Sequence, residues 1–385
     1  MTGAVGGAGA ASEQADASLA GQIASPDASL TQDEGLVATS ARGLTYPWGE
    51  TAPGIGETIR IVDSLSWARI PMPGSLGHIN SWLLDDADDS GPSIAVVDTG
   101  LMLTPCSDAW KALFAGALSD TRISRVVCTH LHPDHIGLAG WLVKRFDVPL
   151  YMTRGEWLTA RFMIADVRDE APAEVSAMQR GAGWSEEAVE AARASGWSRM
   201  GRMVFRLPYG YRRMTDGQRM QFGRHEWRVV VGSGHSPEHA CLLNETDGVL
   251  VSGDQVLPRI SSNVSMSSGE PDADPLGEWL ASIDKLLTLP DDLLVCPAHG
   301  EPFKGLHVRL KALRDEHHER LDAMAAALTE PKRAVDCFGL LFKRTIGPDH
   351  IGLATGETLA HLRYLEVQGR VRREVRDGVW WWGAV

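Results

Sequence analysis

From Thr129 to His135 the chain reads Thr-His-Leu-His-Pro-Asp-His, so His130, His132, Asp134 and His135 set three imidazoles and a carboxylate within six residues. Neutral imidazole and carboxylate are the ordinary ligands of zinc and related divalent cations, and such a crowd of histidines would repel itself on protonation unless a cation held it. Pro133 cannot extend a helix and forces a turn, so His130 and His132 can face one point while Asp134 and His135 face another. Two adjacent cation positions follow. One buried His alone is more often a core residue; the density of the motif carries the inference.

A ligand loop must be held, and the apolar runs show what holds it. Ser124–Cys128 reads as a buried strand running into the loop, and Ile136–Arg145 as a helix leaving it. Val229–Gly232 reads as a second strand, ending at Gly234-His235-Ser236-Pro237-Glu238-His239. Val249–Ser252 ends at Gly253-Asp254, and Leu293–Cys296 at Pro297-Ala298-His299-Gly300. Four strand ends each deliver a His or Asp beside a glycine or proline, the pattern expected when sheet edges converge on a cleft. Asp254 offers two oxygens and a negative charge suited to spanning two cations.

Upstream, Thr58–Asp63, Ile79–Asp85 and Ile94–Asp98 read as strands and Asp108–Leu118 as a helix. Residues 1–45 are rich in Ala, Gly, Ser, Asp and Glu, with Arg42 as the one basic side chain, and are expected to be a disordered tail. With 44% hydrophobic and 23% charged residues in a chain of 385, a large domain plus a smaller appendage is expected. No run approaches the roughly 18 apolar residues of a membrane span. The five scattered cysteines, Cys106, Cys128, Cys241, Cys296 and Cys337, are unlike a disulfide framework, so a reducing cytoplasm is expected. A net charge of −13 disfavours nucleic acid as a general partner.

The H-x-H-x-D-H run, the later Gly-His-Ser-Pro-Glu-His, the Gly-Asp and the Ala-His-Gly, in that order, resemble the metallo-β-lactamase superfamily over about Glu57 to Lys304. The resemblance implies an α/β class fold, a four-layer αβ/βα sandwich with the site at one sheet edge. It gives His130, His132 and His235 to a first metal, Asp134, His135 and His299 to a second, and Asp254 to both; Asp98 resembles a buried structural aspartate. The implied cofactors are two divalent metal ions, zinc foremost, with iron or manganese as alternatives. A bound water with its pKa lowered to about 7 would supply hydroxide, and Asp134 could orient it and carry a proton.

The residues after Asp254, Gln255 to Asn263, lack the Cys-Gly-Arg turn of glyoxalase II enzymes, and position 257 is Leu where homoserine-lactone lactonases place Tyr. An ester or thioester of a small acyl compound, such as an acyl-coenzyme A or glutathione conjugate, is the expected substrate. The alternatives are a mononuclear iron dioxygenase of the persulfide type and an endoribonuclease-like nuclease. His78, Asn80, Arg259 and Asn263 are candidate substrate contacts, the arginine for its planar fork of donors.

The catalytic domain is placed at residues 46–305, with an inserted helical cap at about 153–206 containing helices at Glu156–Asp166, Ala173–Arg180 and Ser185–Met200. Trp157, Phe162, Met163, Met178 and Trp184 are candidates for an apolar acyl pocket or for packing the cap onto the sandwich. Residues 306–385 form the second domain: helices at His307–Leu328 and Glu357–Gln368, then strands Arg370–Arg376 and Val379–Trp382 about an Asp377-Gly378 turn. This part resembles the winged-helix module of some β-lactamase-like hydrolases. From Pro331 onward nine Lys or Arg face six Asp or Glu, a net charge of +3, which leaves a packing or homodimerisation role ahead of nucleic-acid binding.

Overall fold

The computed structural model describes residues 39–343 and 345–385. The expected tail lies outside the described residues up to position 38, and beyond that point the expectation is corrected. Thr39–Ala41 (β1) and Leu44–Tyr46 (β2) pair antiparallel, Leu44 and Tyr46 are buried, and Thr45 exchanges backbone hydrogen bonds with Lys304. The average composition of the first 45 residues hides this short apolar hook, whose burial in the main core offsets its ordering entropy.

Two sheets form the centre. The first has seven strands in sequence order: Ile59–Val62 (β3), Leu65–Pro71 (β4), His78–Asp88 (β5), Gly91–Val97 (β6), Ile123–Val127 (β7), Leu150–Met152 (β8) and Arg212–Arg213 (β9). The second has five: Arg219–Phe222 (β10), His225–Gly232 (β11), His239–Asn244 (β12), Val249–Gly253 (β13) and Leu294–Pro297 (β14). They meet through Trp67, Trp82, Val97 and Val127 of the first and Phe222, Trp227, Leu242 and Val251 of the second. Trp67 and Trp82 stack at 5.9 Å between ring centroids and are wholly buried. Each such side chain contributes on the order of 1.5–3 kcal/mol of burial free energy.

Helices cover both outer faces and complete the four-layer αβ/βα order. Thr104–Ala115 (α1), Pro133–Ile136 (α2), Ala139–Phe146 (α3) and Arg154–Ala165 (α4) lie with the first sheet. Ala173–Ala182 (α5), Glu186–Ala194 (α6) and Met200–Met203 (α7) follow. Pro275–Leu286 (α8) and Leu306–Ala327 (α9) cover the second sheet, joined in one core by Phe338–Leu341 (α10), Ile351–Val367 (α11) and the hairpin Val371–Arg376 (β15) with Val379–Ala384 (β16). Asp377 and Gly378 both take positive φ at the hairpin turn. Among the described residues no helix is long and apolar enough to cross a membrane, and all five cysteines are free and buried.

Two expected helices are broken. Ile136–Arg145 splits at Gly137-Leu138, because Leu138 N donates to Gly100 O and Thr99 Oγ1, away from the helix ladder. A side chain at position 137 would also meet the Gly100 carbonyl oxygen at 2.5 Å. Ser185–Met200 ends as a helix at Ala194, where Gly196 takes φ 85° and Trp197 pairs with Arg168.

Strands β6 to β9 run parallel, as do β13 and β14, so their carboxyl ends open on one edge of the sandwich. Loops there are free to carry chemistry because the strands behind them are fixed by the inter-sheet core.

Candidate metal centre

The His130–His135 loop follows β7, His235 follows β11, Asp254 follows β13 and His299 follows β14. The seven side chains meet. One ligand atom each from His130, His132, His235 and Asp254 lie within 4.8 Å of one another, as do those of Asp134, His135 and His299. His130 Nε2 is 2.8 Å from His132 Nδ1 and 3.2 Å from His235 Nε2. Asp254 stands between the two groups: Oδ2 is 3.5 Å from both His235 Nε2 and His135 Nε2, and Oδ1 is 3.5 Å from His299 Nε2. Asp134 Oδ2 lies 3.2 Å from His299 Nε2 and 3.5 Å from His135 Nε2.

Four of the five imidazoles are oriented from behind, which fixes the nitrogen each turns inward. His235 Nδ1 donates to the Asn263 carbonyl oxygen at 2.7 Å, and His299 Nδ1 to that of His78 at 2.8 Å. His130 Nδ1 meets Thr129 Oγ1 at 3.0 Å. His135 Nδ1 lies 2.8 Å from Asp98 Oδ2, and the same carboxylate accepts from Thr129 N and Thr129 Oγ1, both at 2.8 Å. Asp98 is buried at φ 61°, a left-handed conformation that Asp and Asn tolerate better than most residues.

Burial, reinforced by neighbouring imidazoles, holds His130 well below the ordinary imidazole range and His132 at about 3. These rings are neutral, with lone pairs free for a cation. Burial opposes charge on His135 and His299 too, but carboxylates outweigh it, Asp134, Asp98 and Asp254 for His135 and Asp254 and Asp134 for His299, and both are raised. For Asp254 burial is likewise outweighed, by His135 and His299, and its carboxyl is lowered. His135 Nε2, His299 Nε2 and Asp254 Oδ1 are buried without an aligned hydrogen-bond partner. Buried polar atoms are seldom left so, and three aimed at one small volume suit a cation ligand set.

The four expected substrate contacts have other employment. Asn80 is wholly buried: Oδ1 accepts from Trp67 Nε1 at 2.8 Å, and Nδ2 donates to the carbonyl oxygens of Pro297 and Gly300 at 2.9 and 2.8 Å. It ties the sheets together below the site, which corrects its expected role. His78 serves through its carbonyl, and its ring, held at about 3 by burial and by Arg69, accepts from Gly300 N at 3.3 Å. Arg259 pairs with Glu301 at 3.0 Å over the Tyr46 ring, and the Asn263 side chain bonds Glu357 of α11 at 3.2 Å. The aromatic and methionine side chains weighed between an acyl pocket and packing the cap are dispersed, most of them in packing. Trp157 stacks on Tyr211 in one core, Met178 and Trp184 pack on another, and Phe162 is 60% exposed.

Two residues without an expected role prove central. His239 Nε2 accepts from Asp254 N at 3.0 Å, and Gly253, at φ 51°, leaves room for that ring, since a Cβ there would lie 2.6 Å from it. The sequence signal was its place four residues after His235, at the start of a strand. Glu156, in the first turn of α4, accepts from Leu131 N, Ser236 Oγ and Glu238 N. Acidic residues are common in a first helical turn, so nothing in one sequence distinguishes it. Burial raises its carboxyl despite those donors.

A family profile described as "Metallo-beta-lactamase superfamily" matches residues 74–299, well over half the chain. The chain belongs to the metallo-β-lactamase superfamily. The site described above lies within that superfamily match, and a second profile, "Metallo-beta-lactamase-like, C-terminal domain", matches residues 321–385. The crystal structure of a β-lactamase domain protein from Burkholderia ambifaria is similar at 36% identity and a TM-score of 0.79, covering 90% of this chain and 100% of that one. A metallo-β-lactamase family protein of Thermus thermophilus, TTHA1429, is 28% identical with a TM-score of 0.69, over 84% of this chain and 99% of its own. The Bacillus subtilis (strain 168) protein named "Probable metallo-hydrolase YqjP" is 24% identical over 310 residues, 78% of this chain and 91% of that protein.

Proposed function

We propose that this superfamily member is a hydrolase of a small acyl ester or thioester, working with two divalent cations, zinc foremost. The observation that carries the reading is the set of buried inward-facing atoms without an aligned hydrogen-bond partner at His135, His299 and Asp254, beside the imidazoles of His130, His132 and His235. His130, His132 and His235 would hold one cation, Asp134, His135 and His299 the other, with Asp254 shared. When bound, such cations supply Lewis acidity that acidifies water and polarises a carbonyl. The chain's own part is geometric and electrostatic: Asp98, Thr129 and the carbonyls of His78 and Asn263 fix the rings. Asp134 adds a carboxylate that can orient water and move a proton.

A dioxygenase of the persulfide type would reuse this motif set with a single iron on two His and one Asp, so metal stoichiometry separates the two readings. The basic surplus near the C-terminus is only +3, and one of its arginines, Arg370, pairs with Asp322 outside that segment, which leaves little to grip a phosphate chain. Thioester cleavage draws support from a relative named "Atrochrysone carboxyl ACP thioesterase" in Aspergillus fumigatus, 26% identical over 191 residues, 46% of this chain and 43% of that protein.

The test is metal analysis of the purified protein with a screen over thioesters, esters, lactones, β-lactams and phosphodiesters, using His135→Ala as the blank. About two cations per chain and turnover of acyl substrates lost in the blank are expected. One iron per chain with oxygen consumption, or turnover confined to phosphodiesters, would overturn the proposal.

A further inference from the structure

The carboxylate of Glu156 is wholly buried, has no cationic side chain within ion-pairing distance among the described residues, and touches no ligand atom. Its partners are nevertheless drawn from both ligand loops. Oε2 accepts from Leu131 N at 2.8 Å, and Leu131 stands between His130 and His132. Oε1 accepts from Ser236 Oγ and Glu238 N, both at 2.7 Å, and these residues follow directly on His235. One rigid group thus spans the two loops that carry the first trio.

Around it α4 is latched to the second loop twice more. Thr153 Oγ1 donates to the Glu238 carbonyl oxygen at 2.7 Å, and Gly155 N donates to Glu238 Oε2 at 2.8 Å. The Glu238 carboxylate therefore caps the first turn of α4 while Glu156, within that turn, accepts the Glu238 amide. A Cβ at position 155 would come within 3.1 Å of both Pro237 and Glu238 side-chain carbons. The start of α4 and the His235 loop are one packed unit.

We propose that Glu156 is a positioning residue for the first cation position: it sets the distance between the His130–His132 loop and the His235 loop. This rests on the two-cation reading above. Every partner of Glu156 donates, so a carboxylate satisfies all three where an amide cannot, because its nitrogen has no lone pair for the donor it faces. Groups that orient ligands in this way typically change metal affinity by about 10–100-fold when replaced.

The test is Glu156→Gln in the full chain, read three ways. In a chelator-competition titration with Zn2+, the step assigned to His130, His132 and His235 is expected to weaken by about 10–100-fold. The step at Asp134, His135 and His299 should stay close to the parent. The Co2+ absorption bands of the first position should shift, which loosening of the cap alone would not produce. In the metal-free protein, amide exchange at Leu131 and Glu238 should accelerate. Equal weakening of both steps, or a titration and exchange pattern like the parent's, would overturn the proposal. Should Glu156→Gln fail to fold, Ser236→Ala removes one donor, and the same selective loss is expected on a smaller scale; no loss there overturns it equally. A parent chain that takes up no cation would instead refute the two-cation reading, and amide exchange would still decide whether Glu156 holds the loops.

Discussion

Replacing Asp98 with Asn isolates one carboxylate charge without disturbing the backbone. At φ 61° most residues are strained, but Asn accepts this conformation about as well as Asp. What changes is the acceptor count: the carboxylate takes three donors at 2.8 Å, from Thr129 N, Thr129 Oγ1 and His135 Nδ1, and an amide can serve only one side. If the amide nitrogen faces Thr129 N, a buried N–H is orphaned at about 1–3 kcal/mol; if it faces His135, a charge-assisted bond worth roughly as much is lost. Either way His135 loses its anionic support, and a tenfold to hundredfold loss of metal affinity corresponds to about 1.4–2.7 kcal/mol. The first position should weaken less, because Asp98 reaches His130 only through the Thr129 hydroxyl. A two-step metal titration by chelator competition, with urea unfolding of the metal-free protein, reads both effects. Unchanged affinity at the second position, or a larger loss at the first, would refute the reasoning.

Three further changes have definite signs. Gly253→Ala puts a Cβ 2.6 Å from the His239 ring at φ 51° and should cost about 2–5 kcal/mol in urea unfolding, with weaker metal uptake through Asp254. Asn80→Ala strands Trp67 Nε1 between the sheets, while the Pro297 and Gly300 carbonyl oxygens keep Trp82 Nε1 and Arg69 Nη2, and should cost about 1–3 kcal/mol by the same assay. His317 and His361, 3.2 Å apart beneath Ser261 and flanked by Arg320, His318 and Glu357, are held by burial at about 3 and about 4. Since the unfolded chain binds protons there from about pH 6.5 downward and the folded chain does not, stability should fall as pH drops from 6.5 towards 4, by up to about 1.4 kcal/mol per unit for each proton. Urea midpoints of His317→Leu across that window should fall less steeply, by about one proton; parallel slopes would sink the assignment.

The residues that meet in the candidate centre were legible because their signal is local: a dense motif and apolar runs that stop at His or Asp. What escaped depends on partners remote in sequence. Asn80 looked free for substrate, yet its amide is consumed by Trp67, Pro297 and Gly300, the last two more than 200 positions away. Strand β4 was missed because Arg69 and Pro71 interrupt its apolar pattern, and β12 because all its residues are buried and no alternation survives. The break at Gly137-Leu138 reflects a hydrogen bond to the Thr99-Gly100 turn, which helical periodicity cannot reveal.

Two of the rings at the centre are oriented by main-chain oxygens, His299 by His78 and His235 by Asn263, so their support is a matter of loop position. A side-chain change at His78 leaves its carbonyl in place and should spare metal binding wherever the strand keeps its register. Asn263 differs, because its side chain bonds Glu357 while Arg309 of α9 holds the carbonyls of Leu257 and Ile260 and Met266 N bonds Gly356 O. The loop that supports His235 is therefore held by residues of α9 and α11. These bonds tie the C-terminal region to the segment that carries the Asn263 carbonyl, with no side chain of that region needed in the cleft.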